Sequence, residues 1–182
     1  MTNKNRARKT ALFGMLAALA LALSYLESLL PPLLPVPGIK PGFSNIATMF
    51  AVSTLGGTYG LAVTLFKAFF ALITRGATAS FMSASGGLLS LCAMVLLFKI
   101  RQDRLSFVAI GVICAVMHNI GQLICAFFIL GRSMLALSPV LIAAGAVTGV
   151  LTGTVFKLTS EALSKQANSY IKPAGATPAN KE

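Results

Sequence analysis

The stretch SFVAIGVICAVMHNIGQLICAFFILG, residues 106–131, decides the fold class. It holds no Lys, Arg, Asp or Glu. It also exceeds the roughly 20 apolar residues a helix needs to cross a hydrocarbon core. Composition shows that this run is not an isolated buried helix. Of 182 residues, 56% are hydrophobic and only 10% charged, and the mean hydropathy is +0.83. A soluble domain covers its surface with about 25% charged residues. This chain cannot supply them, so lipid solvates most of its exterior. Backbone groups in lipid must be satisfied within their own segment, which favours helices for runs of this length. The expected fold is all-α, a polytopic membrane bundle of about six transmembrane helices.

Outward from that stretch, apolar runs place the spans at about 11–30, 43–57, 58–76, 79–99, 106–131 and 134–157. The second is short, and Gly56-Gly57-Thr58-Tyr59-Gly60 separates it from the third. Between the first two, Pro31, Pro32, Pro35, Pro37 and Pro41 with two glycines preclude helix, so residues 31–42 are expected to form an ordered loop. From Ser164 onward the chain is polar and rich in Ala, Asn and Pro, which suggests disorder. The domain organisation is then a basic tail at 1–10, a membrane domain at 11–158 and a second tail at 159–182.

Lys and Arg in short loops set orientation. Six spans with the amino end inside put Lys4, Arg6, Arg8 and Lys9 in the cytoplasm. The same threading puts Lys99, Arg101, Arg104, Lys157, Lys165, Lys172 and Lys181 there as well. Only Lys40, Arg75 and Arg132 face outside, and Lys67 falls within a span. The net charge of +11 is therefore a topological signal with some attraction to anionic lipids, not the footprint of nucleic-acid binding. Both termini are expected in the cytoplasm, the protein spanning the membrane several times. The basic start before an apolar run has the look of a signal peptide, but five more spans follow it. Cys92, Cys114 and Cys125 all lie in spans, where they suit packing and not a disulfide framework.

Polar groups inside lipid are costly, so each is a functional candidate. Glu27, near the outer end of the first span, suits binding of a substrate amine or hydroxyl, proton carriage, or an ion pair with Lys40 or Arg75. Lys67 lies too deep to reach water by snorkelling and calls for a partner or polar cavity. Cys114, His118, Gln122 and Cys125 share one face of the fifth span, with Asn119 beside it. That stripe suits either hydrogen bonds between helices or a ligand site. Ser44 is placed to cap the second helix, and the amides there, with Lys40 and Asn45 nearby, suit an anion. Gly14, Ala18 and Ala22 line one face of the first span, and Gly145, Gly149 and Gly153 line one face of the sixth. Such faces allow close approach, either within the protein or onto a separate membrane partner. Ser83, Gly87 and Ser90 in the fourth span suit packing or the lining of a cavity. No hydrolase triad, phosphate-binding loop or cluster of metal ligands is present, and nothing calls for a cofactor.

These residues together resemble a family. Ser24-Tyr25-Leu26-Glu27, Pro35-Val36-Pro37-Gly38-Ile39-Lys40-Pro41-Gly42 and Asn45 are similar to the first half of the Gx transporter family. Ser85-Gly86-Gly87 and His118-Asn119-Ile120-Gly121-Gln122 match its later motifs. The resemblance covers about residues 9–158. Members are often labelled heptaprenyl diphosphate synthase component I and look like substrate-binding S components of energy-coupling-factor transporters. Related proteins occur in flavin-based extracellular electron transfer.

The resemblance implies a six-helix S-component-like fold with a substrate site in the outer half of the bundle. An outer loop, here Pro31–Gly42, would close over that site. Glu27, Lys40, Asn45, Lys67, His118, Asn119 and Gln122 are the candidate substrate-binding residues. The small residues Gly14, Ala18 and Ala22 are the candidate docking face for a membrane coupling subunit, with ATPases as further partners. A prenyl synthase needs clustered carboxylates to hold Mg²⁺ against a diphosphate. The four acidic residues, Glu27, Asp103, Glu161 and Glu182, stand apart in sequence, so catalysis by this chain alone is not expected. Three roles follow: substrate-capture subunit for small-molecule uptake, membrane subunit of a flavin- or quinone-linked electron-transfer system, or non-catalytic accessory subunit of the synthase.

Overall fold

A computed structural model of the chain describes residues 3–29, 42–100 and 105–171, with the backbone alone at 4, 5 and 164–171. Lys40 and all of the proline-rich loop but Gly42 lie outside these residues. The elements are α1 (Asn3–Leu29), α2 (Asn45–Leu55), α3 (Gly57–Arg75), α4 (Ala77–Ile100), α5 (Phe107–Leu130), a 3-10 turn (Arg132–Leu137) and α6 (Ser138–Ile171). No strand occurs among the described residues. The expected all-helical membrane bundle is what forms.

Five of the helices are long and apolar enough to cross a membrane. The second predicted span is the exception. Eleven residues of α2 rise about 16 Å, roughly half the hydrocarbon thickness. Its length is limited at both ends. The prolines before it cannot join the helix, and Gly56 stops it with φ +105, a backbone region that side-chain-bearing residues avoid. The predicted division at Gly56-Gly57 is therefore real, although the segment ahead of it does not span the membrane as helix.

Short as it is, α2 still reverses the chain. Ser44 at its start bonds to Glu27 near the end of α1, while Val52 near its end packs on Gly60 early in α3. Phe156, late in α6, stacks on Phe107 at the start of α5 and on Phe98 near the end of α4. Phe13, early in α1, meets Tyr59 early in α3. Six segments thus alternate in direction, and the first and last helices bring their terminal halves to one end of the bundle. Arg6, Arg8, Lys9, Lys99 and Lys157 gather towards that end, whereas Arg75 and Arg132 lie towards the other.

The two halves of the bundle differ in chemistry. Towards the termini the interior is apolar: Met49, Val52, Leu91, Met94, Ile110, Cys114 and Phe156 form one cluster, with Phe50, Phe98 and Phe107 against it. Large apolar side chains are bare on the outside, among them Phe69, Ile73, Phe81, Phe128 and Val147. In water this would be an aggregation liability; against lipid it is the required surface.

The two small-residue faces also part company. Gly145, Gly149 and Gly153 of α6 lie against the backbone of α5, where an added Cβ at Gly149 would come within 2.4 Å of Val112 Cα. This face packs inside the protein. Gly14, Ala18 and Ala22 instead point outward and are exposed, with nothing within 4 Å of a Cβ built on Gly14. The opposite side of α1 does the packing, through Phe13, Leu16, Ala17 and Ala20 against Ala47, Ala51 and Val63.

At the carboxyl end, α6 continues to Ile171, past the predicted limit near 157. Residues 164–171, read from sequence as disordered, are helical. Glu161-Ala162-Leu163 and Lys165-Gln166-Ala167 are strong helix formers, and Lys157 Nζ lies 3.9 Å from Glu161 Oε1 one turn on. Residues 172–182 lie outside the described part.

Candidate functional site

The end of the bundle opposite the termini holds the polar interior. Each residue there is placed by the helix that carries it. Ser24 and Glu27 are three apart near the end of α1 and share its inner face. Ser44 and Asn45 open α2. Lys67 sits on the buried side of α3, with Arg75 at that helix's last turn. Ser83 lies two turns into α4. His118, Asn119 and Gln122 come from the buried face of α5.

Glu27 is buried, at 6% exposure, and its carboxylate accepts a hydrogen bond from the Ser44 backbone N–H at 2.9 Å. The Ser44 hydroxyl donates to the other oxygen at 3.4 Å. Two expectations change here. Ser44 makes no side-chain cap on α2, and the anion drawn to the start of that helix is this chain's own Glu27. The physical reason is the same one that suggested an external anion: unpaired amides at a helix start attract negative charge. Nor does Glu27 form a salt bridge with Arg75 within 4 Å; among the described residues the one such pair is Lys157–Glu161.

Lys67 is 3% exposed and donates to Asn45 Oδ1 at 2.8 Å. The deep lysine therefore has a partner, but a neutral one. Among the described residues, Asn45 Oδ1 is the one hydrogen-bond acceptor for the three N–H donors of Lys67. Asn45 Nδ2 is buried with no hydrogen-bond partner. Gly42, with φ +87, lies over both Asn45 and His118: a Cβ there would be 3.2 Å from Asn45 Nδ2 and 3.1 Å from His118 Cδ2. On α5, Gln122 Nε2 and His118 Nε2 are 3.1 Å apart. Either the amide N–H donates to an unprotonated ring nitrogen, or the flipped amide oxygen accepts from a protonated one. Gly86 and Gly121 let α4 and α5 meet at this level, with a Cβ on Gly86 only 2.7 Å from the His118 carbonyl oxygen.

These groups line a narrow cavity that is partly open to the exterior; the space around it comes to about 260 Å³ only when that open part is counted. Its lining is Ser24, Glu27, Ser44, Lys67, Arg75, Ser83, His118 and Gln122. Of the predicted binding residues, Glu27, Lys67, His118 and Gln122 converge on it. Asn45 acts one step back, through Lys67. Asn119 does not join them: its amide donates to the Leu141 carbonyl of α6 at 2.7 Å, which ties two helices together. Lys40 lies outside the described residues. Ser83, read from sequence as packing or cavity lining, lies in the lining, whereas sequence reasoning did not place Ser24 or Arg75 among the binding residues. Ser24 had a signal, its spacing of three from Glu27, but Arg75 reaches the cavity only through how α3 packs.

Two comparisons carry information on kinship. A solved structure of the S component of a bacterial ECF transporter shares this fold, with a TM-score of 0.62 over 92% of this chain and 99% of that one. Identity is 19%, so the likeness is one of fold. No curated protein matches the chain. Residues 16–159 match the family model described as heptaprenyl diphosphate synthase component I. The match takes in α2 to α5 whole, with the second half of α1 and much of α6. The chain belongs to the heptaprenyl diphosphate synthase component I family.

Proposed function

We propose that this protein is an integral membrane substrate-binding subunit for uptake of a small molecule, working with separate coupling and ATPase subunits as S components do. The observation that carries the reading is the polar cavity itself. Eight polar or charged side chains from α1 to α5 converge in one half of an otherwise apolar bundle. Polar groups are held inside lipid at a cost that calls for a use, and the shared fold supports capture of a ligand as that use.

The membrane domain is residues 11–158, and the flanking ends 1–10 and 159–182 are cytoplasmic. The cavity then opens towards the outside of a bacterial cytoplasmic membrane, where a scarce nutrient is met. Orientation is supported by the basic residues near the two termini. Transport needs energy that this chain has no nucleotide-binding motif to harvest. The outward face of α1 at Gly14, Ala18 and Ala22 is the docking surface for a transmembrane coupling subunit. Its supporting observation is its exposure, whereas the equivalent face of α6 is fully used within the protein.

The protein is not itself an enzyme. Among the described acidic residues, Glu27 is engaged at Ser44, and Glu161 lies half-exposed towards the other end of the bundle. Among the described residues no group of acidic side chains is placed to hold a diphosphate-bound metal.

The test uses affinity capture from native membranes, comparing the wild type with the Gly14→Leu/Ala18→Leu double variant. The wild type should bring down a membrane coupling subunit and proteins carrying nucleotide-binding motifs. The variant should lose them while keeping its melting temperature. Equal recovery of those partners by both forms would refute the assignment of the face.

A further inference from the structure

We infer that the cavity takes a small anionic molecule, one bearing a carboxylate or phosphate-type oxyanion held between Lys67 and Arg75. This rests on the substrate-capture reading and names the chemical class of what is captured. Three observations lead to it.

The first is charge. Among the described lining residues the formal charges are those of Glu27, Lys67 and Arg75, two positive against one negative. The second is that the single negative charge is already occupied. Glu27 accepts from the Ser44 amide and hydroxyl, so it serves the start of α2 and forms no salt bridge with either cation. Lys67 is bonded to a neutral amide oxygen. Lys67 and Arg75 share the field of one carboxylate, Glu27; the remaining positive charge is unfavourable in a low-dielectric interior, and an anionic ligand balances it. Arg75 stands at the end of α3, half-buried, where its planar fork can grip an oxyanion with two parallel hydrogen bonds.

The third observation is what the lining lacks. Among the described lining residues the one ring is the His118 imidazole, and no hydrocarbon side chain contributes. A quinone ring or an isoprenoid tail needs a stacking surface or an apolar slot. The described lining offers neither, which favours an oxyanion on a compact polar molecule. Ser83, His118 and Gln122 across the cavity then meet hydroxyl or carbonyl groups on that molecule.

The probe is a small-molecule extract of a bacterial culture, divided on an anion-exchange resin into retained and unretained fractions. Each fraction is added to the purified full-length protein in detergent, and unfolding is followed with a thiol-reactive fluorophore. The retained fraction should raise the unfolding temperature by several degrees. Lys67→Met and Arg75→Gln should each require about tenfold or more of that fraction for the same shift, the loss of one charge-assisted hydrogen bond. Lys67→Arg should recover part of the effect. Arg75→Gln keeps the test valid if Lys67→Met misfolds, because Arg75 is only half-buried and sits at the last turn of α3. A shift produced by the unretained fraction alone, or one that both charge-removing variants keep, would overturn the anion site and leave substrate capture standing. If neither fraction shifts the wild type, the substrate-capture reading itself fails.

Discussion

Replacing Gly149 with alanine adds one methyl group where α5 and α6 leave it no room. The new Cβ would lie 2.4 Å from Val112 Cα, 2.8 Å from the Gly111 carbonyl oxygen and 2.9 Å from Val112 N. All three neighbours are backbone, so no side chain can swing aside. Restoring ordinary contact, which begins near 3.4 Å, moves the helices apart by about 1 Å. A gap of that size forfeits a quarter to a half of the dispersion energy at each contact it opens. Overpacking costs about 1–3 kcal/mol in general, and rigid backbone neighbours put this site at the upper end. Alanine returns about 1 kcal/mol through its better helix propensity. The net destabilisation is about 2 kcal/mol, or a fall of roughly 4–8 °C in Tm for a chain of this size. The chain has no Trp but three cysteines, and Cys114 is buried on α5. Thermal unfolding read by a thiol-reactive dye therefore reports when Cys114 leaves the core it shares with Ile110 of α5 and Phe156 of α6. Gly14→Ala is the control: with nothing within 4 Å of the new Cβ, it should leave Tm unchanged or raise it. Equal Tm for Gly149→Ala and wild type, or an equal fall in both variants, would refute the packing argument.

Other perturbations follow from single contacts. Glu27→Ala leaves the buried Ser44 N–H without its acceptor and should cost about 1–3 kcal/mol; Glu27→Gln retains a neutral acceptor and should lose less, as chemical unfolding of the two variants in detergent will show. Gly42→Ala forces a side chain onto φ +87 and against His118 and Asn45. The backbone alone should cost about 1–2 kcal/mol, and ligand-induced stabilisation should fall with it because Asn45 holds Lys67. Asn119→Ala removes one interhelical hydrogen bond, worth about 0.6 kcal/mol on average in a membrane interior. Since Asn119 does not line the cavity, ligand affinity measured by thermal shift should change by less than about threefold.

Much of the architecture was legible because lipid imposes a simple rule on sequence. Uninterrupted apolar runs gave the number and order of helices, and Gly56 marked the break between α2 and α3 correctly. The length of α2 was less legible: apolar residues on both sides of a short helix look like a longer one until prolines and a positive-φ glycine fix its ends. The polar residues of the site were visible one by one, since each is an exception in an apolar run. Their relationships were not. Lys67 and Asn45 are 22 residues apart and meet at 2.8 Å, while Asn119, adjacent to His118 in sequence, turns to α6 instead. A helix turns about 100° per residue, so a one-residue step changes which neighbour a side chain faces. The capture of α2's first amide by Glu27 was hidden for the same reason. The pattern predicted an anion there but could not say that the chain would provide it.

The most direct measurement is native mass spectrometry of the protein gently extracted from its own membrane, with co-purifying species identified. Substrate capture predicts a bound small acid together with a membrane coupling subunit and ATPases. A flavoprotein or quinone-reducing partner in their place, with no ATPase, would contradict the account and assign the protein to electron transfer.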